Sequence, residues 1–150
     1  MNDKRILSID FGLKRIGLAV CDSSKIVITR LPQVENRLPE LWQVLTSKIR
    51  EYQNPEILLG YPFHERSDGK TEINRFLVQL EKFKEKLLEK FPDCKLILWD
   101  ESFTSELAKE HIFKTTGSAK SAKSRKKKKD NLDSTAAALL LKNYLQSAAE

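Results

Sequence analysis

The chain has little cysteine, glycine or proline and no long apolar run. Its two cysteines, Cys21 and Cys94, stand in apolar contexts without Cys-x-x-Cys spacing. That excludes a disulfide framework and a thiolate zinc site, and it leaves reduced core thiols as the expectation. Two histidines, His64 and His111, are far apart and lack metal-ligand spacing. Five glycines and five prolines in 150 residues are too few for a fibrous or low-complexity chain. The longest apolar run, Ala136 to Leu141, is six residues, whereas a membrane span takes roughly 20. Met1-Asn2-Asp3-Lys4-Arg5 leads into only a short apolar stretch, so neither a signal peptide nor an anchor is expected, and the expected setting is the cytoplasm.

What is present is a foldable composition: 40% hydrophobic and 32% charged residues over a length that suits one domain, residues 1–150, with a core of its own. The formal charge of +6 is not spread evenly. Seven cations (Lys120, Lys123, Arg125, Lys126, Lys127, Lys128 and Lys129) fall in one acid-free tract, and the other 20 fall one short of the 21 acids. A single basic tract points to a polyanion held at one place, and nucleic acid leads the candidates.

Short runs rich in Ile and Val at Ile6–Asp10, Ile16–Cys21 and Lys25–Thr29, separated by turn-forming residues, predict a three-stranded antiparallel meander. Leu38, Leu41, Trp42, Leu45, Ile49 and Tyr52 recur at helical spacing and stop at Asn54-Pro55. Glu56–Gly60 reads as a buried strand. Ile73 through Phe91, with Leu80, Phe83, Leu87 and Leu88 between, reads as a long amphipathic helix ended by Pro92. A fifth strand, Lys95–Asp100, a helix over Ser105–Lys114, a polar basic loop and a last helix near Leu132–Gln146 complete the chain. Trp42 and Trp99 fall in apolar periodic patterns and are expected in the core. This order suggests an α/β fold, a mixed five-stranded sheet flanked by helices.

Asp10 ends the first strand before Phe11-Gly12, and Asp100-Glu101 ends the fifth. Alternation puts Asp100 and Glu101 on opposite faces, so periodicity leaves open which one serves a site. Asp133 is expected in the first turn of the last helix, with Asp130 as an N-cap. In a sheet whose first and fifth strands are neighbours, these acids converge. At 4 Å each pair would repel by about 4 kcal/mol at an effective dielectric of 20, so the cluster calls for a cation. Oxygen ligands without His or Cys suit magnesium or manganese, and such a centre beside a basic tract fits phosphodiester cleavage.

The run Asp10-Phe11-Gly12-Leu13-Lys14-Arg15-Ile16-Gly17-Leu18-Ala19-Val20-Cys21-Asp22 resembles the opening signature of the YqgF (RuvX) proteins. Leu59-Gly60-Tyr61-Pro62 with Asp68-Gly69, then Asp100-Glu101, then Asp133-Ser134-Thr135-Ala136-Ala137, resemble the later blocks in the same order. The resemblance implies an RNase H-like fold related to the junction resolvase RuvC, and a nuclease that matures the 5′ end of the 16S rRNA precursor. It also implies a catalytic and metal-binding triad of Asp10, Glu101 and Asp133, with a two-metal site expected. Lys14 and Arg15, in the turn after Asp10, and Arg125, Lys126, Lys127, Lys128 and Lys129 are the expected nucleic-acid contacts.

Three departures stand out: Ser102 where the family has Arg, Cys21 where it often has Ser, and a longer stretch from Pro62 to Asp68. The substrate expectation is precursor rRNA, with a pre-ribosomal particle as partner. The alternatives are four-way DNA junctions, cut by a monomer or homodimer, and a non-catalytic nucleic-acid-binding module. Asp10-Phe11-Gly12 also resembles the first phosphate turn of actin-like kinases. Those need two such domains, and this chain has no second glycine-rich loop.

Overall fold

Alternation along the first strand divides the protein into two layers of core. The computed structural model describes the backbone of residues 3–62, 71–100 and 122–149, and the side chains of 3–62, 75–100 and 135–148. Five strands are β1 (Ile6–Asp10), β2 (Arg15–Cys21), β3 (Ile28–Glu35), β4 (Glu56–Tyr61) and β5 (Leu96–Asp100). Three helices are α1 (Glu40–Glu51), α2 (Thr71–Lys90) and α3 (Ala122–Ala149). The expected helix over Ser105–Lys114 lies outside the described residues.

The strands form one sheet in the order β3-β2-β1-β4-β5. β1, β2 and β3 make the antiparallel meander, while β1 with β4 and β4 with β5 pair in parallel. The sheet is therefore mixed, as the element order suggests. Leu7, Ile9, Ile16, Leu18, Ile57 and Leu59 turn to one face and pack with Leu41, Leu45 and Ile49 of α1 and Leu80, Phe83 and Leu87 of α2. Ile6, Ala19, Cys21 and Leu58 turn to the other face, against Ala137, Leu140 and Leu141 of α3. A fully buried leucine such as Leu45 contributes about 1.5–3 kcal/mol through its removal from water. Both cysteines are free and buried. Trp42 packs at the first core, stacked on Phe83, and Trp99 at the second, edge-on to Tyr144.

Four expectations need correction. The third strand begins at Ile28, not Lys25, because Asp22 holds the preceding residues in a turn. Its Oδ1 accepts the Ile26 N–H at 2.8 Å and the Val27 N–H at 3.0 Å, its Oδ2 accepts the Ser24 hydroxyl, and Lys25 takes φ 62°. The strand then runs on through Pro32, which an edge strand tolerates, and the pairing shifts between Ile16 and Leu18 so that Pro32 and Gln33 share the place opposite Gly17. Leu38 and Leu88 are 69% and 50% exposed and belong to neither core. β4 lies between β1 and β5, so the first and fifth strands are not neighbours.

The fourth correction is the last helix, which begins at Ala122 rather than near Leu132. The basic tract from Lys123 to Lys129 therefore lies on a helix and not in a loop. Apolar periodicity cannot reveal this because residues 123–131 hold no large apolar side chain. Lys, Arg and Ala are nonetheless strong helix formers, and neither Gly nor Pro interrupts 122–149.

The bonds to Asp22, from the Ser24 hydroxyl first and then the Val27 and Ile26 N–H groups, lower its pKa from 3.8 to about 2. A carboxylate depressed on folding stabilises the turn above its unfolded pKa, and the contribution is lost as the pH falls through the folded value. An NMR titration is expected to show the Asp22 carboxyl titrating near 2, and Ser24→Ala should move its midpoint up toward 3.8.

Candidate active site at the sheet edge

Because β1, β4 and β5 run parallel, their C-terminal ends share one edge of the sheet. Ile9 pairs with Leu59 and Leu59 with Leu98, so Asp10 stands level with Gly60 and Trp99, and Asp100 lies one residue further on, opposite Tyr61. Strands two places apart are separated by roughly 10 Å. Asp10 and Asp100 are also on opposite faces. Ile6 and Ser8 lie against α3, so alternation turns Asp10 to that side, whereas Leu96 and Leu98 lie in the α1–α2 core, so Asp100 turns there. Asp100 therefore does not share a face with Asp10.

Asp10 is half-buried at the rim. Phe11 next to it is anchored in the core, its ring 4.9 Å from Phe83 and 5.9 Å from Phe76. The chain then turns at Gly12, where a Cβ would press well inside van der Waals distance of the Arg15 carbonyl oxygen. Asn36, just past β3, ties the turn from outside: its Nδ2 donates to the Gly12 carbonyl at 2.9 Å, and its N–H donates to the Lys14 carbonyl at 2.9 Å. Lys14 is exposed on this turn, and Arg15 opens β2 half-buried, opposite Glu35.

Glu101 lies outside the described residues, as do Ser102, His64 and His111. Asp133 falls inside α3, four residues before Ala137, and only its backbone is described. It is not in the first turn, so the helix-terminus explanations for Asp133 and Asp130 do not hold. Arg125, Lys126, Lys127, Lys128 and Lys129 also lie on the helix with their backbone alone described. Among the described residues no three His, Cys, Asp or Glu side chains gather into a metal-ligand group.

On the opposite face of the edge, Tyr61 donates its hydroxyl to Glu81, whose other oxygen pairs with Lys84 at 3.1 Å while the ammonium stands 5.3 Å from the Tyr61 ring centre. The shared hydrogen bond lowers the Glu81 pKa and raises that of Tyr61. This trio fastens β4 to α2 beside Asp100. A separate open groove of about 520 Å³, lined by Trp42, Arg50 and Lys90 among others, lies along α1 and shares no residue with the sheet edge.

Sequence reasoning missed Ser8 and Asn36. Ser8 is fully buried two residues before Asp10, and its hydroxyl donates to the Ala137 carbonyl at 2.9 Å. A lone hydroxyl in the apolar run Ile6-Leu7-Ser8-Ile9 was the available signal. Nothing local marks Asn36, whose partners lie 24 and 22 residues away.

A family model described as RuvX, Holliday junction resolvase, matches residues 4–147. A protein of Amoebophilus asiaticus named "Putative pre-16S rRNA nuclease" is 32% identical over 143 residues, covering 95% of this chain and 94% of that protein. One of the same name from Chlorobaculum tepidum is 33% identical over 145 residues, covering 96% and 94%. Among solved structures, Thermus thermophilus RuvC in complex with a Holliday junction substrate superposes with a TM-score of 0.56 at 13% identity, over 96% of each chain. The sheet and its flanking helices thus form an RNase H-like fold.

The turn that follows Asp10 is expected to be intolerant of small changes. Gly12→Ala should destabilise the protein by about 1–3 kcal/mol through the forced backbone shift, and Asn36→Ala by about 1 kcal/mol through removal of its side-chain hydrogen bond. Urea unfolding of both variants checks this.

Proposed function

The chain belongs to the RuvX family, and on that premise we propose a metal-dependent endonuclease, one domain over residues 1–150, that acts on structured RNA at the 5′ end of the 16S rRNA precursor. The observation that carries the reading is the position of Asp10, half-buried at the rim where three parallel strands end, on the face covered by the helix that contains Asp133. The relatives of Amoebophilus asiaticus and Chlorobaculum tepidum, named for pre-16S rRNA, support the precursor as substrate, and the 5′ end is what the family resemblance implies. The fold likeness to RuvC bears on architecture alone.

Asp10, Glu101 and Asp133 are the proposed catalytic acids and metal ligands. The face of Asp100, opposite to that of Asp10, counts against Asp100 as the second acid and so favours Glu101, which the family resemblance implies. All three offer only oxygen, a donor set that suits magnesium or manganese, two ions in the proposed site. Such ions, when bound, neutralise charge on the scissile phosphate and lower the pKa of water.

The remaining work falls to the chain's cations. Lys14 and Arg15, on the turn that Phe11, Gly12 and Asn36 hold beside Asp10, contact the phosphate backbone near the scissile bond. Arg125 and Lys126–Lys129, a positively charged stretch at the start of α3, hold flanking phosphates and stand in for the family Arg that Ser102 replaces. Water attacks phosphorus, the 3′ oxygen departs, and the product carries a 5′-phosphate. Among the described residues no helix is long and apolar enough to cross a membrane. The proposed setting is the cytoplasm, on a pre-ribosomal particle.

A labelled 16S precursor fragment and a four-way DNA junction, incubated side by side with magnesium or manganese, test the reading. Wild type is expected to cut the RNA, and Asp10→Asn to lose at least about a hundredfold in rate while keeping its fold. Cutting of the junction alone would replace RNA maturation with the resolution of four-way DNA junctions. Binding without cutting of either, at low salt with either metal, would demote the protein to a binding module.

RNA affinity is expected to fall steeply with salt. Replacing Lys126–Lys129 with glutamine should flatten the slope of log affinity on log salt by roughly 3, at about 0.7–0.9 for each phosphate that is no longer neutralised. An unchanged slope would remove the tract from the interface.

A further inference from the structure

Two of the contacts that hold α3 against the sheet are directional. Ser8 Oγ donates to the Ala137 carbonyl at 2.9 Å, and Arg30 donates through a guanidinium nitrogen to Thr135 Oγ1 at 3.3 Å. Ser8 pairs with Ala19 across β1–β2, and Ala19 pairs with Arg30 across β2–β3. The three residues form one rung of the sheet, and residues opposite one another across strands share a face. One rung therefore grips the helix at two points, at positions 135 and 137. We infer that Ser8 and Arg30 are positioning residues that set the register of α3 on the sheet and so the place of Asp133 relative to Asp10.

The apolar contacts in this layer do not define a register. Ile6, Ala19, Cys21 and Leu58 meet Ala137, Leu140 and Leu141, and burial of such surfaces is non-directional. A helix that slips by one residue moves every side chain it carries by about 1.5 Å along its axis. The apolar layer would bury much the same area after such a slip, but the Ser8 hydroxyl, with 0% exposure, would be left without its acceptor. Arg30, on the edge strand, resists rotation about the Ser8 contact because it holds the helix to one side of β1. Asp133 lies two residues before Thr135 and four before Ala137, so both anchors act within about one turn of it.

This inference rests on the carboxylate site proposed above, and its test separates the two. Manganese binding to the full-length chain is followed by the electron paramagnetic resonance signal of the free ion, for wild type, Ser8→Ala, Arg30→Met and Ile97→Val. Ile97 packs in the same layer without either directional contact. Ser8→Ala and Arg30→Met are expected to bind manganese roughly tenfold more weakly, and to lower kcat for RNA cleavage with KM unchanged. Ile97→Val should lower Tm without moving the manganese affinity. Wild-type manganese affinity in both anchor variants would overturn the inference, as would an equal loss in Ile97→Val. If Ser8→Ala fails to fold, the exposed Arg30→Met decides by the same criterion. Absence of manganese binding by wild type would overturn the carboxylate site itself, and the inference with it.

Discussion

Strand β1 lies at the centre of the sheet, paired antiparallel with β2 and in parallel with β4, and it is buried on both faces. The pleat of β1 sorts its side chains between the two core layers. Leu7, Ile9 and Phe11 bind the strand to the α1–α2 layer, and Ile6 and Ser8 bind it to the α3 layer. With both sides occupied, a one-residue change of register would put the whole set on the wrong face. Asp10 inherits a defined direction from that alternation, at the point where the sheet ends and the chain can turn away.

The parallel pairing of β1, β4 and β5 makes this edge a place where strand ends collect. Ligands of open α/β sheets bind beyond the carboxyl ends of such strands. Here the edge has two chemically distinct sides. Toward α2, Tyr61, Glu81 and Lys84 are tied to one another and serve to hold β4 against its helix. Toward α3 lies Asp10, followed by a turn closed by Gly12 and braced by Asn36, which presents the exposed Lys14.

Helix α3 separates its roles along its length rather than around its circumference. Its first third carries the basic run, and apolar residues from Ala136 onward dock on the sheet. A helix of this kind joins a basic segment to a packed anchor through an unbroken rod. Small residues on both sides, Ala19 and Ser8 on the strands and Ala137 on the helix, let the rod lie close to the sheet.

Composition, local apolar patterns and turn residues made most of the elements legible, since each strand and helix in a two-layered core must present its own apolar face. The family resemblance was carried by contiguous blocks such as Asp10–Asp22 and needed no structure. The start of β3 was not legible because side-chain bonds to Asp22 override the β-propensity of Ile26 and Val27. The start of α3 was not legible because residues 123–131 hold no large apolar side chain and so have no apolar period. Whether Asp100 shares a face with Asp10 could not be read from alternation alone, because a pattern of period two defines two faces without saying which helix covers each. Local sequence was enough for most element types, for the basic tract as a run of charge, and for Asp10 and Asp100 as carboxylates at strand ends. It took the folded arrangement to show that β4 separates β1 from β5, that Asp10 faces α3 and Asp100 does not, and that Ser8 reaches Ala137 across 129 residues of chain. Strand order and facing are set by long-range pairing and by the burial of whole layers, and no local window of residues contains either.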